Sequence, residues 1–242
     1  PVSLPALPRP AFGQPDESTM RFLFKTGYEQ DINLAKHGGH IFWYGALLAL
    51  LAVAPWLFPE YWLAQLTFVL IYAIVGLGLM LLSGFTGQFS LGHAAFLGVG
   101  AYTQAVLTNA GMPFTLALIC SATLSAAVGV VVGLPALRVK GIYLGMATLA
   151  FGFIVEEVFA RWESMTGGNA GLQLSVPTVF GYKIDTGESF YYLCLVITVL
   201  ATLAILNLLR SSTGRAFVAI RDSEISAQSM GINLARYKTL SF

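Results

Sequence analysis

The chain has 242 residues, of which 56% are hydrophobic and 10% charged, against about a quarter charged in ordinary soluble domains. Thirteen Lys and Arg against twelve Asp and Glu leave a formal charge of +1, so no broad basic field exists for nucleic acid and no acidic field for a cationic partner. A conventional water-soluble fold and a nucleic-acid-binding role are excluded, and Cys120 and Cys194, each alone in an apolar stretch, build neither a disulfide framework nor a metal cluster.

In chain order, residues 1–19 carry five prolines and no helical or strand period, and read as a disordered tail, with Met20 a candidate native start. The polar stretch to His40 reads as interfacial. No secretory signal peptide is expected, because the first apolar run starts late and is too long for an h-region. Six segments then approach the roughly 20 apolar residues that cross a bilayer: 41–58, 62–82, 93–110, 114–134, 141–160 and 190–209. The predicted fold is all-α, a polytopic membrane protein of about six transmembrane helices, with a tail and interfacial N-terminus over 1–40 and a membrane domain over 41–242. A new apolar run opens at Thr239 as the chain ends, so the sequence reads as a fragment with C-terminal helices missing.

Lys and Arg set the expected orientation. With a cytoplasmic N-terminus, Arg9, Arg21, Lys25, Lys36, Arg138, Lys140, Arg210, Arg215, Arg221, Arg236 and Lys238 lie inside, leaving only Arg161 and Lys183 outside and no cation within a span. Trp43, Trp56, Trp62 and Trp162 sit near segment ends, as interface anchors do.

Four stretches carry polar chemistry. In the first, Gly84, Gly87 and Gly92 interrupt a helix while Thr86, Gln88 and Ser90 offer hydrogen-bonding groups at the end of an apolar span. Broken backbone at membrane depth is tolerated where it is buried in protein or lines a wet cavity, so this is either a substrate path or a flexible loop leading into close helix packing. His93 follows without a His, Asp or Glu on the neighbouring spans, which makes a hydrogen-bonded structural histidine the expectation rather than a metal ligand. Second, Glu156 and Glu157 fall toward the outer end of their span and read as interfacial, the alternative being that one faces the pore. Third, Thr166 to Gly171 holds three glycines and forms a turn or rim at the side opposite Gly84 to Gly87, an arrangement that inverted repeats produce.

The fourth stretch is the cytoplasmic segment 210–238. Asp222 is expected to N-cap a short helix over 223–230, with Glu224 in its first turn and Gly231 closing it in a left-handed cap. Ile225, Ala227 and Met230 supply small or flexible apolar contacts suited to a groove on a partner, the alternative being a generic basic loop.

Three stretches together resemble one family. LSGFTGQFSLGHAAFLGVGAY from Leu82, LRVKGIYLGMATLAFGFIVEEVFARWESMTGGNAG from Leu137 and GRAFVAIRDSEISAQSMGINLARYK from Gly214 are similar, in this order, to permease subunits of branched-chain amino acid ABC transporters. The resemblance implies an inner-membrane channel half that pairs with a homologous second permease, receives substrate from a periplasmic binding protein and is driven by two cytoplasmic ATP-binding subunits. Gly84, Thr86, Gly87, Gln88, Ser90, Gly92 and His93 become candidates for the substrate path. Arg215, Asp222, Glu224, Ala227 and Gly231 become candidates for coupling to the ATPase, with Ala227 and Gly231 matching the family's Ala-x-x-x-Gly core. No GxxxxGK[ST] loop occurs, so ATP and magnesium belong on partner chains and no cofactor is expected here. The Pro-rich 1–19 has no family counterpart. A urea or short-amide permease of the same family shares all three stretches and stays open. A membrane-embedded enzyme lacks paired carboxylates or a Ser/His/Asp set at a common depth, and a scaffold leaves the interrupted span unexplained.

Overall fold

The computed structural model describes residues 38–136, 139, 141–174, 177–179 and 182–242. The expected tail, Met20 and the cations Arg9, Arg21, Lys25, Lys36, Arg138 and Lys140 lie outside the described residues. Six long helices carry the fold: α1 Gly38–Leu57, α2 Glu60–Leu79, α3 His93–Asn109, α4 Phe114–Ala136, α5 Ile142–Arg161 and, after a short α6 Glu163–Thr166, α7 Gly187–Arg210. A helix stands at each of the six expected positions. Glu60–Phe85, Phe114–Pro135, Ile142–Arg161 and Gly187–Arg210 are long and apolar enough to cross a membrane, while the apolar stretch Phe42–Leu57 and the 17-residue α3 are shorter. The protein is thus an all-α polytopic membrane protein. Among the described residues the sheet content is one two-residue hairpin, Thr178–Val179 against Tyr182–Lys183, which the sequence reading did not anticipate.

Only 11–22% of the most apolar part of each of those four spans is buried within the chain. Their remaining apolar surface faces outward, as hydrocarbon or neighbouring protein requires. Hydroxyls inside the spans are absorbed locally: Thr67, Thr103, Thr123, Thr198 and Thr202 each donate to the carbonyl four residues earlier. Helix ends follow their capping chemistry. Thr186 accepts from the Ser189 amide to start α7, with Glu188 in the first turn and Arg210 in the last, both favourable to the helix dipole.

The helices α2 and α7 pack along each other, as do α3 and α4, and α5 lies against α3. The largest buried apolar cluster joins α1, α2 and α7 through Ala54, Leu63, Leu70, Tyr191, Cys194 and Leu195. Pro55 lies inside α1 and lacks an N–H, so the Leu51 carbonyl loses its helical donor. The fully buried Tyr191 hydroxyl supplies the replacement, donating to that carbonyl at 2.8 Å, and Tyr192 donates to the next one, Ala52, at 3.0 Å. Tyr191→Phe strands a buried acceptor and is expected to cost about 1–3 kcal/mol in thermal unfolding of the detergent-solubilised protein. In a Pro55→Ala background, where position 55 regains its own donor, the penalty should shrink. An equal penalty in both backgrounds would show that the tyrosine acts through packing alone.

Candidate translocation and coupling site

The helix α2 does not stop cleanly. Over Met80–Phe85 it widens into a π-helical turn, in which the Thr86 amide reaches back five residues to the Leu81 carbonyl at 3.2 Å. Ser83 Oγ donates to Leu79 and Thr86 Oγ1 to Leu81, which stabilises the wide turn. From Thr86 to Gly92 the backbone is irregular and burial alternates. Thr86, Gln88 and Ser90 point into the chain's own interior while Phe89 and Leu91 face outward, the reverse of a water-facing loop. Gln88 Nε2 donates to the Lys238 carbonyl at 3.2 Å and to Ser241 Oγ at 2.7 Å, whereas Gln88 Oε1 and Ser90 Oγ have no partner among the described residues.

Two glycines of this break are required by their surroundings. A Cβ on Gly92 would overlap the Thr148 carbonyl oxygen on α5 and lie 2.7 Å from its carbon, and the Leu91 amide is already bonded to Thr148 Oγ1 at 3.0 Å. Gly87 has φ +72°, and the Arg221 side chain lies 3.0 Å from where its Cβ would be. The ring of His93, at the start of α3, seats against Gly78 of α2 and meets Phe96 edge-on at 5.7 Å. The expected hydrogen bond is missing at one nitrogen, since Nδ1 has no partner among the described residues. Packing against α2, a helix before it in sequence, holds the ring instead.

The polar segment after α7 is built from three capped helices: α8 Ser212–Asp222, α9 Glu224–Ser229 and α10 Leu234–Ser241. Ser211, Ser223 and Asn233 are their N-caps, accepting from the amides of Thr213, Ser226 and Arg236. This corrects the expected cap. Asp222 ends α8, exposed beside Arg221 at 3.2 Å, and Ser223 caps α9 because its backbone turns extended there. The other end is as expected: Gly231 adopts φ +84°, its amide bonds to Gln228 and that of Ile232 to Ala227, a Schellman closure. The short α9 presents Ile225 and Met230 outward at 82% and 80% exposure. Ala227, expected on the same surface, is turned inward at 1% exposure. Arg215 lies in the first turn of α8 and donates to the Arg210 carbonyl at 3.3 Å.

Break and polar segment touch directly. Arg221 Nη1 donates to the Gly84 carbonyl at 3.1 Å, and its stem covers Gly87. Glu224 pairs with Lys238 at 2.6 Å, with only 27% and 6% of their side chains exposed, and the Lys238 backbone receives Gln88. Along α4, Gly129 and Gly133 let α10 approach at Phe242 and Thr239. The sequence reading thus named both sides of a contact but used Arg221 and Lys238, which make it, only for orientation and not as site residues. The available signal was their type: cations at membrane-flanking positions in a segment otherwise assigned to partner docking.

At the opposite end, Thr166 Oγ1 donates to the carbonyls of Phe159 and Trp162, which pins the turn Gly167–Gly171 to the end of α5. The adjacent glutamates part company: Glu157 pairs with Arg161 one turn on, whereas Glu156, itself exposed, lines a cleft between α5 and α3.

The family described as branched-chain amino acid transport system, permease component, matches residues 61–242, a range that holds the break, the cleft and all three capped helices. Two curated proteins named high-affinity branched-chain amino acid transport system permease protein LivM are similar. The Salmonella typhimurium protein is 34% identical over 224 residues, covering 81% of this chain and 53% of its own length. The Escherichia coli protein is 34% identical over 222 residues, covering 81% of this chain and 52% of its own length. The chain therefore spans about half the length of the curated relatives it matches. No solved structure matches it. With the family match extending from α2 to the last residue and both relatives at 34% identity, this chain belongs to the permease-component family of branched-chain amino acid transport systems.

Proposed function

We propose that the chain forms one side of the path by which an ABC importer moves branched-chain amino acids across a bacterial inner membrane, with its N-terminus and the Arg210–Lys238 end in the cytoplasm. A homologous second permease supplies the facing side, a periplasmic binding protein delivers substrate, and two ATP-binding subunits hydrolyse ATP and bind its magnesium. The names of the relatives favour branched-chain amino acids over urea or short amides. In this reading Gly84 to His93 is the cytoplasmic gate, and Arg215, Asp222, Glu224, Ala227 and Gly231 belong to the coupling segment. The ATPase docks on the exposed side of α9 at Ile225 and Met230. Ala227 holds α9 to its own chain.

The observation that carries the reading is the bond from Arg221 to the Gly84 carbonyl. A pull on α8 and α9 acts on the π turn without an intervening loop, and Glu224, Lys238 and Gln88 form a second link to the same break. Closure of the ATP-binding subunits moves α9, and both links move the break relative to Thr148, shifting the spans between two packings.

The test is uptake of radiolabelled leucine by cells carrying the full-length permease with its partner subunits, with isoleucine, valine and urea as competitors. Isoleucine and valine should compete and urea should not. Competition by urea alone would move the substrate to the amide class. Orientation is checked in the same cells, in a background lacking Cys120 and Cys194. Asn169→Cys is expected to react with an impermeant thiol reagent added outside, and Gln228→Cys only after the membrane is opened. The reverse pattern would invert the proposed topology.

A further inference from the structure

We infer that the cleft between α3 and α5 is a substrate subsite in which Glu156 receives the ammonium group of the amino acid in transit, an inference that rests on the transport reading above. The cleft holds about 620 Å³, within the range of small-molecule sites. One wall is the α3 face of Ala94, Gly98 and Tyr102, the other the α5 face of Gly152, Glu156 and Phe159, and Gly168–Gly171 closes one end. The two helices run parallel, pinched at Gly92 against Thr148 and Gly152 and again where Gly98 meets the Phe159 ring. The cleft therefore extends from the break, the proposed gate, toward the glycine-rich turn at the other end of α5.

Its chemistry suits a zwitterion with an aliphatic side chain. The rings of Tyr102 and Phe159 meet at 4.4 Å with their planes tilted by 37° and offer an apolar wall, while the small residues beside them leave room for a branched carbon chain. The charge is of one sign. Arg161, the cation nearest in sequence, is taken by Glu157, and Glu156 has no hydrogen bond or ion pair among the described residues. An ionisable side chain within an apolar span belongs in a polar cavity and with a counter-charge. A carboxylate on the cleft wall selects a cationic group, and the ammonium of an amino acid is the cation this pathway carries. Asn169, on the closing turn, presents an uncommitted side-chain amide able to donate to the substrate carboxylate.

The experiment uses the full-length transporter with its partner subunits in proteoliposomes, in a background lacking Cys120 and Cys194 and carrying Ala94→Cys as a reporter in the cleft. Alkylation of the reporter is timed with leucine, with 3-methylbutylamine, which keeps the ammonium alone, and with 4-methylpentanoate, which keeps the carboxylate alone. Leucine and the amine are expected to slow alkylation and the acid to leave it unchanged. Glu156→Gln should weaken protection by the amine about tenfold or more, the loss of one charge-assisted contact, while Glu156→Asp retains it and Glu157→Gln has no effect. Protection by the acid equal to that by the amine, or amine protection unaltered in Glu156→Gln, would overturn the subsite. A second reporter, Ala160→Cys, repeats the measurement if the first impairs assembly. Leucine uptake by the unsubstituted transporter is measured alongside. Its absence would count against the transport reading itself, and its presence with failed protection against Glu156 alone.

Discussion

Gly92→Ala is expected to abolish leucine uptake and to lower the amount of folded permease, although it adds a single methyl group. The Cβ would overlap the Thr148 carbonyl on α5, and neither backbone can give way, because the neighbouring Leu91 amide is bonded to the Thr148 hydroxyl. Overpacking of this kind costs about 3 kcal/mol, enough to change abundance several-fold. The neighbouring glycines supply the scale. Gly84→Ala meets only Met80 Cγ, at an ordinary contact distance of 3.6 Å, and should be close to neutral. Gly87→Ala forces a left-handed backbone, at about 1–2 kcal/mol, and presses on the Arg221 stem. Membrane abundance by immunoblot and uptake per unit of protein separate folding from transport. If Gly92→Ala behaved like Gly84→Ala, α3 and α5 would not be in the contact that closes the Gly92 end of the cleft.

The second large effect belongs to Glu224 and Lys238. Lys238 is 6% exposed, so Glu224→Gln leaves its ammonium in a nearly closed interior without the facing carboxylate. Breaking a buried pair from one side costs about 3–5 kcal/mol, and the single variant should be strongly destabilised. The double variant Glu224→Gln/Lys238→Met removes both charges and should recover most of that loss. It should remain defective in one respect. With the link between α9 and α10 gone, substrate-stimulated ATP hydrolysis should persist while leucine moved per ATP falls about fivefold, the size of a modest coupling energy. A double variant restored in both stability and stoichiometry would mean that the pair holds the fold and transmits nothing, leaving Arg221 as the connection to the break.

The sequence makes the spans easy to see and the joints between them hard. Runs such as Leu66 to Leu82 have no polar face, and hydropathy places all six helices within a few residues of their observed limits. It does not distinguish Asp222 from Ser223 as a cap, because both side chains are good acceptors and only the backbone turn at Ser223 separates α8 from α9. Nor does it reveal that Ser212–Asp222 is a helix in its own right. Ala227 is ambiguous for a related reason: a small side chain serves close packing within the chain as well as a groove on a partner. Thr86, Gln88 and Ser90 give the same difficulty at the break, where three polar residues in alternation fit a wet path and a buried seam equally well. The links made by Arg221 and Lys238 join residues 137 and 150 positions apart, a separation at which no local pattern operates.

The caps on α8, α9 and α10 have a consequence for the energetics of assembly. Ser211, Ser223 and Asn233 start their helices with their own side chains, and the left-handed turn at Gly231 stops α9 with the Ser226, Ala227 and Gln228 carbonyls satisfied. The corner proposed to meet the ATPase is therefore shaped before any partner arrives. Binding such a surface loses little conformational freedom, and free and bound forms are expected to differ by less than about 1 Å in the backbone. In the proposed coupling, work done by nucleotide closure is then delivered as displacement of an already rigid corner, with little of it absorbed in ordering the chain.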